Sequence, residues 1–221
     1  MFRQHPTLIK RSGLCWPGKA GEKGAPLVEV AEEDRLRLGW YTLLARLLSG
    51  APDRDFLASL ASLEGDETEL GQAVQTLAQV ARRSEPKEIE QEHFTLFIGV
   101  GQAELLPYAS YYLTGFLHDR PLARLRGEMA ELGIARQENV SEPEDHIASL
   151  CEMMAGLIGG SFGEPADLAT QQRFYDTHIG CWAPRFFEDL QASPSARFFM
   201  PVGTIGSLFL QIEAQGFEMA A

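Results

Sequence analysis

Two short stretches of the chain hold the side chains best suited to chemistry or recognition. The first is Glu142-Pro143-Glu144-Asp145-His146, followed one turn on by Cys151 and Glu152, with a separate His178-Ile179-Gly180-Cys181 pair downstream. These are metal-ligand and acid–base residue types. Asp145 and His146, however, are neighbours that point about 100° apart on a helix and rarely share one ion. A half-buried histidine bordering the apolar stripe of Leu150 is the plainest reading of His146. A partner contact comes next and a metal site last. Three acids crowd the expected first helical turn, where the macrodipole favours negative charge. The functional reading adds an anionic rim able to receive guanidinium groups in a fork geometry.

The second stretch is Leu106-Pro107-Tyr108-Ala109-Ser110-Tyr111-Tyr112-Leu113. Tyrosine joins a large apolar face to a polar tip, so three of them behind a proline suit the lining of a groove. Core packing with the hydroxyls at the surface fits them equally well. Templates for catalysis are missing: there is no GxxxxGK[ST] loop, no GxSxG elbow, no HExxH and no GxGxxG between a strand and a helix. Gly99-Val100-Gly101 follows a helix and reads as an ordinary turn. No catalytic residue, resident metal or cofactor is expected.

The elements that must position these stretches are helical. Leu36, Trp40, Leu43, Leu44, Leu47 and Leu48 recur at three and four residues, and Gly50-Ala51-Pro52 stops that helix. Leu70, Val74, Leu77 and Val80 mark another, and Ser84 before Pro86 caps a third that runs to Gly99. A helix through Leu122, Leu125 and Met129 closes at Gly133. Ser141-Glu142-Pro143-Glu144 has the form of a capping box, which predicts a helix from there through Ile147, Leu150 and Met154 to Gly159-Gly160. Further helices are expected near Pro165–Cys181, around Phe186 and Leu190, and from Phe198 to Ile212, the last kinked at Pro201. No period-two alternation and no internal repeat are visible. The expected class is all-α, with eight or nine helices around one core.

Composition bounds the partners. The 221 residues carry 19 Lys+Arg against 31 Asp+Glu, a net charge of −12. Residues 1–30 hold five bases and two acids, which leaves −15 on residues 31–221. That field repels phosphate backbones and anionic lipid, so nucleic acid is excluded as the main partner and a basic partner is favoured. No apolar run reaches the length of a membrane span, and the first twenty residues lack a signal-peptide core. Three cysteines far apart (Cys15, Cys151, Cys181) suit a reducing cytoplasm. The Gly/Pro-rich, basic residues 1–30 read as a flexible arm on an all-helical domain formed by residues 31–221.

Three blocks occur in a telling order. Glu92-His93-Phe94-Thr95-Leu96-Phe97-Ile98-Gly99 is similar to an E-x-x-x-L-F-x-G helix end, and the Pro107–Leu113 stretch to P-[YW]-x-S-x-Y-L. Glu142–Met154 is similar to E-P-D-H-[IL] followed by E-x-M. In this order and spacing the chain resembles the TorD/DmsD/NarJ-type chaperones that mature molybdenum enzymes, with Asp145-His146 nearest the TorD/DmsD branch. It departs from them at Ala109, where an acid or glycine is common, and at Cys151.

The resemblance implies a TorD-like helical architecture and a non-catalytic, cytoplasmic binding protein. Its partners would be the twin-arginine leader and the apo-form of a molybdopterin oxidoreductase of the formate dehydrogenase or dimethyl sulfoxide/trimethylamine oxide reductase type. Family members also form homodimers. By the same resemblance Tyr108, Ser110, Tyr111, Asp145 and His146 are the groove residues. Pro107 shapes the loop, Glu142 and Glu144 contribute charge, and Trp40 or Tyr41 lines a neighbouring wall. The competing readings are a small metal- or nucleotide-dependent hydrolase built on Glu144, Asp145, His146, His178 and Cys181, and a helical adaptor whose tyrosine segment is an oligomer contact.

Overall fold

The structure is a computed structural model, and it describes residues 14–15, 31–101, 103–136 and 142–220. Ten α-helices account for most of them: α1 (Glu32–Leu48), α2 (Arg54–Ala61), α3 (Glu69–Ala81), α4 (Pro86–His93), α5 (Ala109–Thr114), α6 (Arg120–Glu131), α7 (Ile147–Gly159), α8 (Leu168–His178), α9 (Ala183–Ala192) and α10 (Phe199–Ala220). The chain continues from α4 into a π-helical turn, Phe94–Ile98. Two-residue strands β1 (Leu14–Cys15) and β2 (Ala135–Arg136) pair antiparallel, Leu14 opposite Arg136 and Cys15 opposite Ala135. The all-α expectation holds. Apart from β1, the expected N-terminal arm lies outside the described residues.

Helix α7 is the axis of the packing. Ile147, Ala148, Leu150, Cys151, Met153, Met154, Leu157 and Ile158 are all buried, so it is apolar nearly all round, as a central helix must be. It packs against α1, whose Tyr41, Leu44, Ala45, Leu47 and Leu48 are buried, while α10 packs on α9, α3 and α1. A single apolar cluster runs from Tyr41 to Phe217. Close approach is bought by small residues: a Cβ on Gly206 would lie 2.2 Å from the Phe187 ring.

Four local expectations are corrected. Helix α7 starts at Ile147 with His146 as its cap, not at the Ser141 box; Ser141 itself lies outside the described residues. The reason is tertiary. The Asp145 carbonyl and the Ile147 N–H are taken up in bonds to Ala109 and Pro107, described below, so a helix cannot run through them from Ser141. At α4 the cap is Glu85 in a capping box with Glu88, while the Ser84 hydroxyl turns back to the Val80 carbonyl. Helix α8 begins at Leu168, where Asp167 accepts from the Thr170 N–H (2.8 Å). Pro201 does not kink α10, because it stands in the first turn, where no intrahelical N–H bond is lost. Gly133 does terminate α6, at φ 68°.

Candidate functional site

The tyrosine and Asp-His stretches meet. Ala109 N–H donates to the Asp145 carbonyl (3.0 Å) and Ile147 N–H to the Pro107 carbonyl (2.9 Å), with Tyr108 bridged antiparallel to His146. This short ladder aligns the N-termini of α5 and α7. Asp145 then reaches across it. Its Oδ2 accepts from the Ser110 N–H (2.8 Å) and the Ser110 hydroxyl (2.5 Å). Asp145 is only 1 % exposed and Ser110 is fully buried, so the pair is structural cement at the start of a six-residue helix. The second oxygen, Oδ1, is buried with no hydrogen-bond partner among the described residues.

His146 caps α7 by accepting the Ala148 N–H on Nδ1 (3.1 Å), which places its proton on Nε2. Its ring meets Tyr108 edge to face at 5.1 Å. Burial pushes the imidazole pKa down to about 4, with a smaller push from nearby His93, so it is neutral at pH 7. Tyr108 donates to Glu142, and burial followed by that carboxylate raises the phenol well above its usual range. Glu144 is 6 % exposed and already paired, with Arg126 at 2.8 Å and Arg136 at 3.7 Å. The anionic rim expected of three acids thus reduces to Glu142, the exposed one.

The tyrosines divide. Tyr112 packs inward on Trp182 (5.3 Å) and Phe186 (6.0 Å) and donates to Asp189 (3.1 Å). Tyr111 points outward and begins an exposed apolar strip with Leu113, Phe116 and Leu117, of which Phe116 is 72 % exposed. Sequence reasoning missed the last three. Their signal was three apolar side chains set around Thr114-Gly115, between the Tyr111-Tyr112 pair and a polar His118-Asp119, too few to form a core helix face.

Trp40 is half-buried against Phe209 (6.2 Å). Tyr41 is fully buried in the α1–α10 interface, so it forms no wall of an open groove. Its hydroxyl donates to Glu213 (3.0 Å), which also holds Arg37 in a two-pronged pair (2.8 and 3.1 Å). Arg37 in turn reaches Asp34 and Gln171 (2.8 Å each). This network went unread in the sequence. So did the work of Glu92, whose carboxylate accepts the Arg197, Phe198 and Phe199 N–H groups (2.8, 3.0 and 2.9 Å) and caps α10 from another helix.

A cleft of about 450 Å³ is lined by Pro52, Pro86, Glu90, His93, Phe94 and Ile98. His93 borders it while standing within electrostatic range of His146. The hydrolase residues are dispersed: His178 pairs with Glu128 (2.7 Å) and Cys181 donates to the Thr177 carbonyl (3.3 Å). Among the described residues no three His, Cys, Asp or Glu side chains form a metal-binding cluster. No described helix is long and apolar enough to cross a membrane.

Comparison with known proteins places this architecture. Chaperone protein TorD of Vibrio parahaemolyticus is 25% identical over 206 residues, covering 85% of this chain and 96% of that protein. Chaperone protein TorD of Salmonella bongori is 29% identical over 175 residues, covering 77% and 79%. A crystal structure of a redox enzyme maturation protein from Archaeoglobus fulgidus shares the fold with TM-score 0.51 at 16% identity, over 86% of this chain and 99% of that one. The relatives are named as chaperones. The family model described as nitrate reductase delta subunit matches residues 63–188, more than half of the chain and both halves of the ladder, and the chain belongs to that family.

Proposed function

We propose that this chain binds the twin-arginine leader, and with it the apo-form, of a molybdopterin oxidoreductase in the cytoplasm and holds it until the cofactor is inserted. The client is of the formate dehydrogenase or dimethyl sulfoxide/trimethylamine oxide reductase type. One observation carries the reading. The exposed strip Tyr111, Leu113, Phe116 and Leu117 stands next to the Tyr108–Glu142 pair, on a body of charge −15. A twin-arginine leader is a cationic pair followed by a moderately apolar stretch, and it matches those two features in turn. Glu142 receives the charge and the strip receives the apolar part. The ladder, Asp145 and His146 hold the two together.

The test is titration of a labelled leader peptide from a molybdoenzyme of the same cell, Arg-Arg against Lys-Lys, on the wild-type chain, E142Q and F116S. Saturable binding is expected, stronger for Arg-Arg, with each substitution weakening it several-fold or more and neither unfolding the protein. An absence of saturable binding to both leader and apo-client overturns the proposal. The same apolar strip also suits a contact between two copies of the chain. If F116S abolishes a dimer in sedimentation yet leaves leader affinity intact, the strip belongs to that contact instead.

A further inference from the structure

The 450 Å³ cleft has no part in the leader surface proposed above, and its chemistry is one-sided. Its walls are the α1–α2 turn (Pro52, Asp53), one face of α4 (Pro86, Glu90 and His93, at i, i+4 and i+7) and the π-helical turn (Phe94, Ile98). Two carboxylates border it, and no Lys or Arg among the described residues lines it. Asp53 is already engaged, accepting the Phe56 N–H (2.8 Å) with Arg46 4.0 Å away. Glu90 is exposed and meets no Lys or Arg among the described residues. His93 adds no competing cation, because burial holds its imidazole below the usual range and neutral at pH 7. Its Nε2 is buried with no hydrogen-bond partner among the described residues, which few buried polar atoms tolerate. The remaining wall is apolar, and Ile98 leaves 58 % of its surface in water. An unanswered carboxylate beside open apolar surface suits an aliphatic side chain that ends in a cation. Phosphate-bearing ligands are disfavoured by the same carboxylates.

The backbone sets this cleft close to the ladder. Leu105 N–H donates to the Leu96 carbonyl inside the π-helical turn (2.8 Å), and two residues of chain span at most about 7 Å, so Pro107 stands within that reach of Leu105. One client chain held at the leader surface therefore has the cleft within a short stretch of itself. We propose that the cleft is a second docking site for the same client, taking an Arg or Lys side chain with apolar neighbours from a stretch outside the twin-arginine pair. Glu90 receives the cation, while Phe94, Ile98 and the two prolines cover its stem and neighbours. The inference rests on the leader-binding reading for the identity of the client, though not for the chemistry of the cleft. Once the leader is bound, the second contact forms at an effective concentration in the millimolar range, so a site that is weak alone still prolongs the complex.

The experiment uses the full chain and a labelled peptide with one arginine between two leucines, beside the same peptide with citrulline, which keeps the shape and loses the charge. Saturable binding is expected, about threefold or more weaker for citrulline and weakened about three- to fivefold in E90Q, the range of one exposed charge pair. I98S should weaken it as well; both positions are exposed, so the fold is kept. The ring nitrogen signals of His93 should shift as the arginine peptide saturates. An apo-client lacking its leader should bind the wild type more tightly than E90Q by a similar factor. Equal binding of the two peptides, or of wild type and E90Q, overturns the site. Loss of the arginine peptide in E142Q but not in E90Q places the probe on the leader surface and overturns it too. A leaderless client indifferent to E90Q overturns the client as the source, and a dimer in sedimentation that I98S dissolves gives the cleft to a second copy instead. Arginine-peptide binding that E90Q weakens, in a protein that binds no leader, supports the cleft and defeats only the leader-binding reading.

Discussion

Replacing Asp145 by alanine separates holding the site from touching a client. In the folded chain one carboxylate oxygen accepts both the N–H and the hydroxyl of Ser110, at 1 % exposure. A hydrogen bond to a charged group contributes about 1.5–3 kcal/mol, and each buried donor left unmet costs about 1–3 kcal/mol. Against this, removing a carboxylate whose Oδ1 has no partner relieves some desolvation cost. The net expectation for D145A is a loss of about 2–3 kcal/mol. For a chain of this length that lowers Tm by roughly 4–12 °C. D145N keeps a carbonyl oxygen for Ser110 and should lose about 1 kcal/mol or less. Urea unfolding measures both, and leader titration is run on the same samples. Leader affinity should fall in D145A as α5 loosens and recover largely in D145N. If D145A is as stable as wild type yet loses leader binding, Asp145 is itself a receptor for guanidinium and the positioning argument is wrong.

Three further outcomes follow from the same contacts. The His146 imidazole has its pKa depressed by burial to about 4, below the unfolded value near 6.5, so the unfolded state binds the extra proton. Its contribution is therefore complete above pH 6.5 and is lost as pH falls toward 4. H146N keeps a capping oxygen, so the wild type should lose about 2 kcal/mol more than H146N between pH 7 and pH 5 in urea unfolding. E92A removes the acceptor of three N–H groups at the start of α10, some of them open to water. It should cost about 1–3 kcal/mol and speed amide exchange at residues 197–199, with E92Q intermediate. E213A removes the carboxylate that the Arg37 guanidinium and the Tyr41 hydroxyl share at the α1–α10 interface, with Asp34 and Gln171 left as partners of Arg37. A loss of about 1–3 kcal/mol by calorimetry is expected, with R37M/E213L milder than E213A alone.

Helices were legible because each carries its own signal in a window of a dozen residues, as Leu70, Val74 and Leu77 do on α3. Failures came where a local rule was satisfied and a distant partner overruled it. The Ser141–Glu144 pattern obeys the capping-box rule, yet the backbone at Asp145 and Ile147 is bonded to residues more than thirty positions away. Arg37 and Glu213 are 176 positions apart, and no periodicity links them. Tyr41 is a different case: its spacing to Leu44, Ala45 and Leu48 put it on the buried face of α1, and that signal was open to reading.

The acids that make the resemblance persuasive are the ones least free to bind anything. Glu92 is committed to three amides, Glu144 to two arginines and Asp145 to Ser110. A buried carboxylate in such a position can take a guanidinium only by surrendering bonds that hold α5, α7 or α10 in place, at a cost larger than an exposed ion pair returns. The proposed recognition then rests on groups that gain by being covered: Glu142, with a phenol as its described partner, and the strip from Tyr111 to Leu117, which leaves an apolar surface in water. On this argument the motif residues fix where the receiving surface stands, and the exposed residues beside them decide what it receives. Exchanging Leu113, Phe116 and Leu117 for the side chains of a relative with another client should therefore move leader preference, while the same exchange at Asp145 or Glu92 should lower Tm, and overall affinity with it, without changing which leader is preferred.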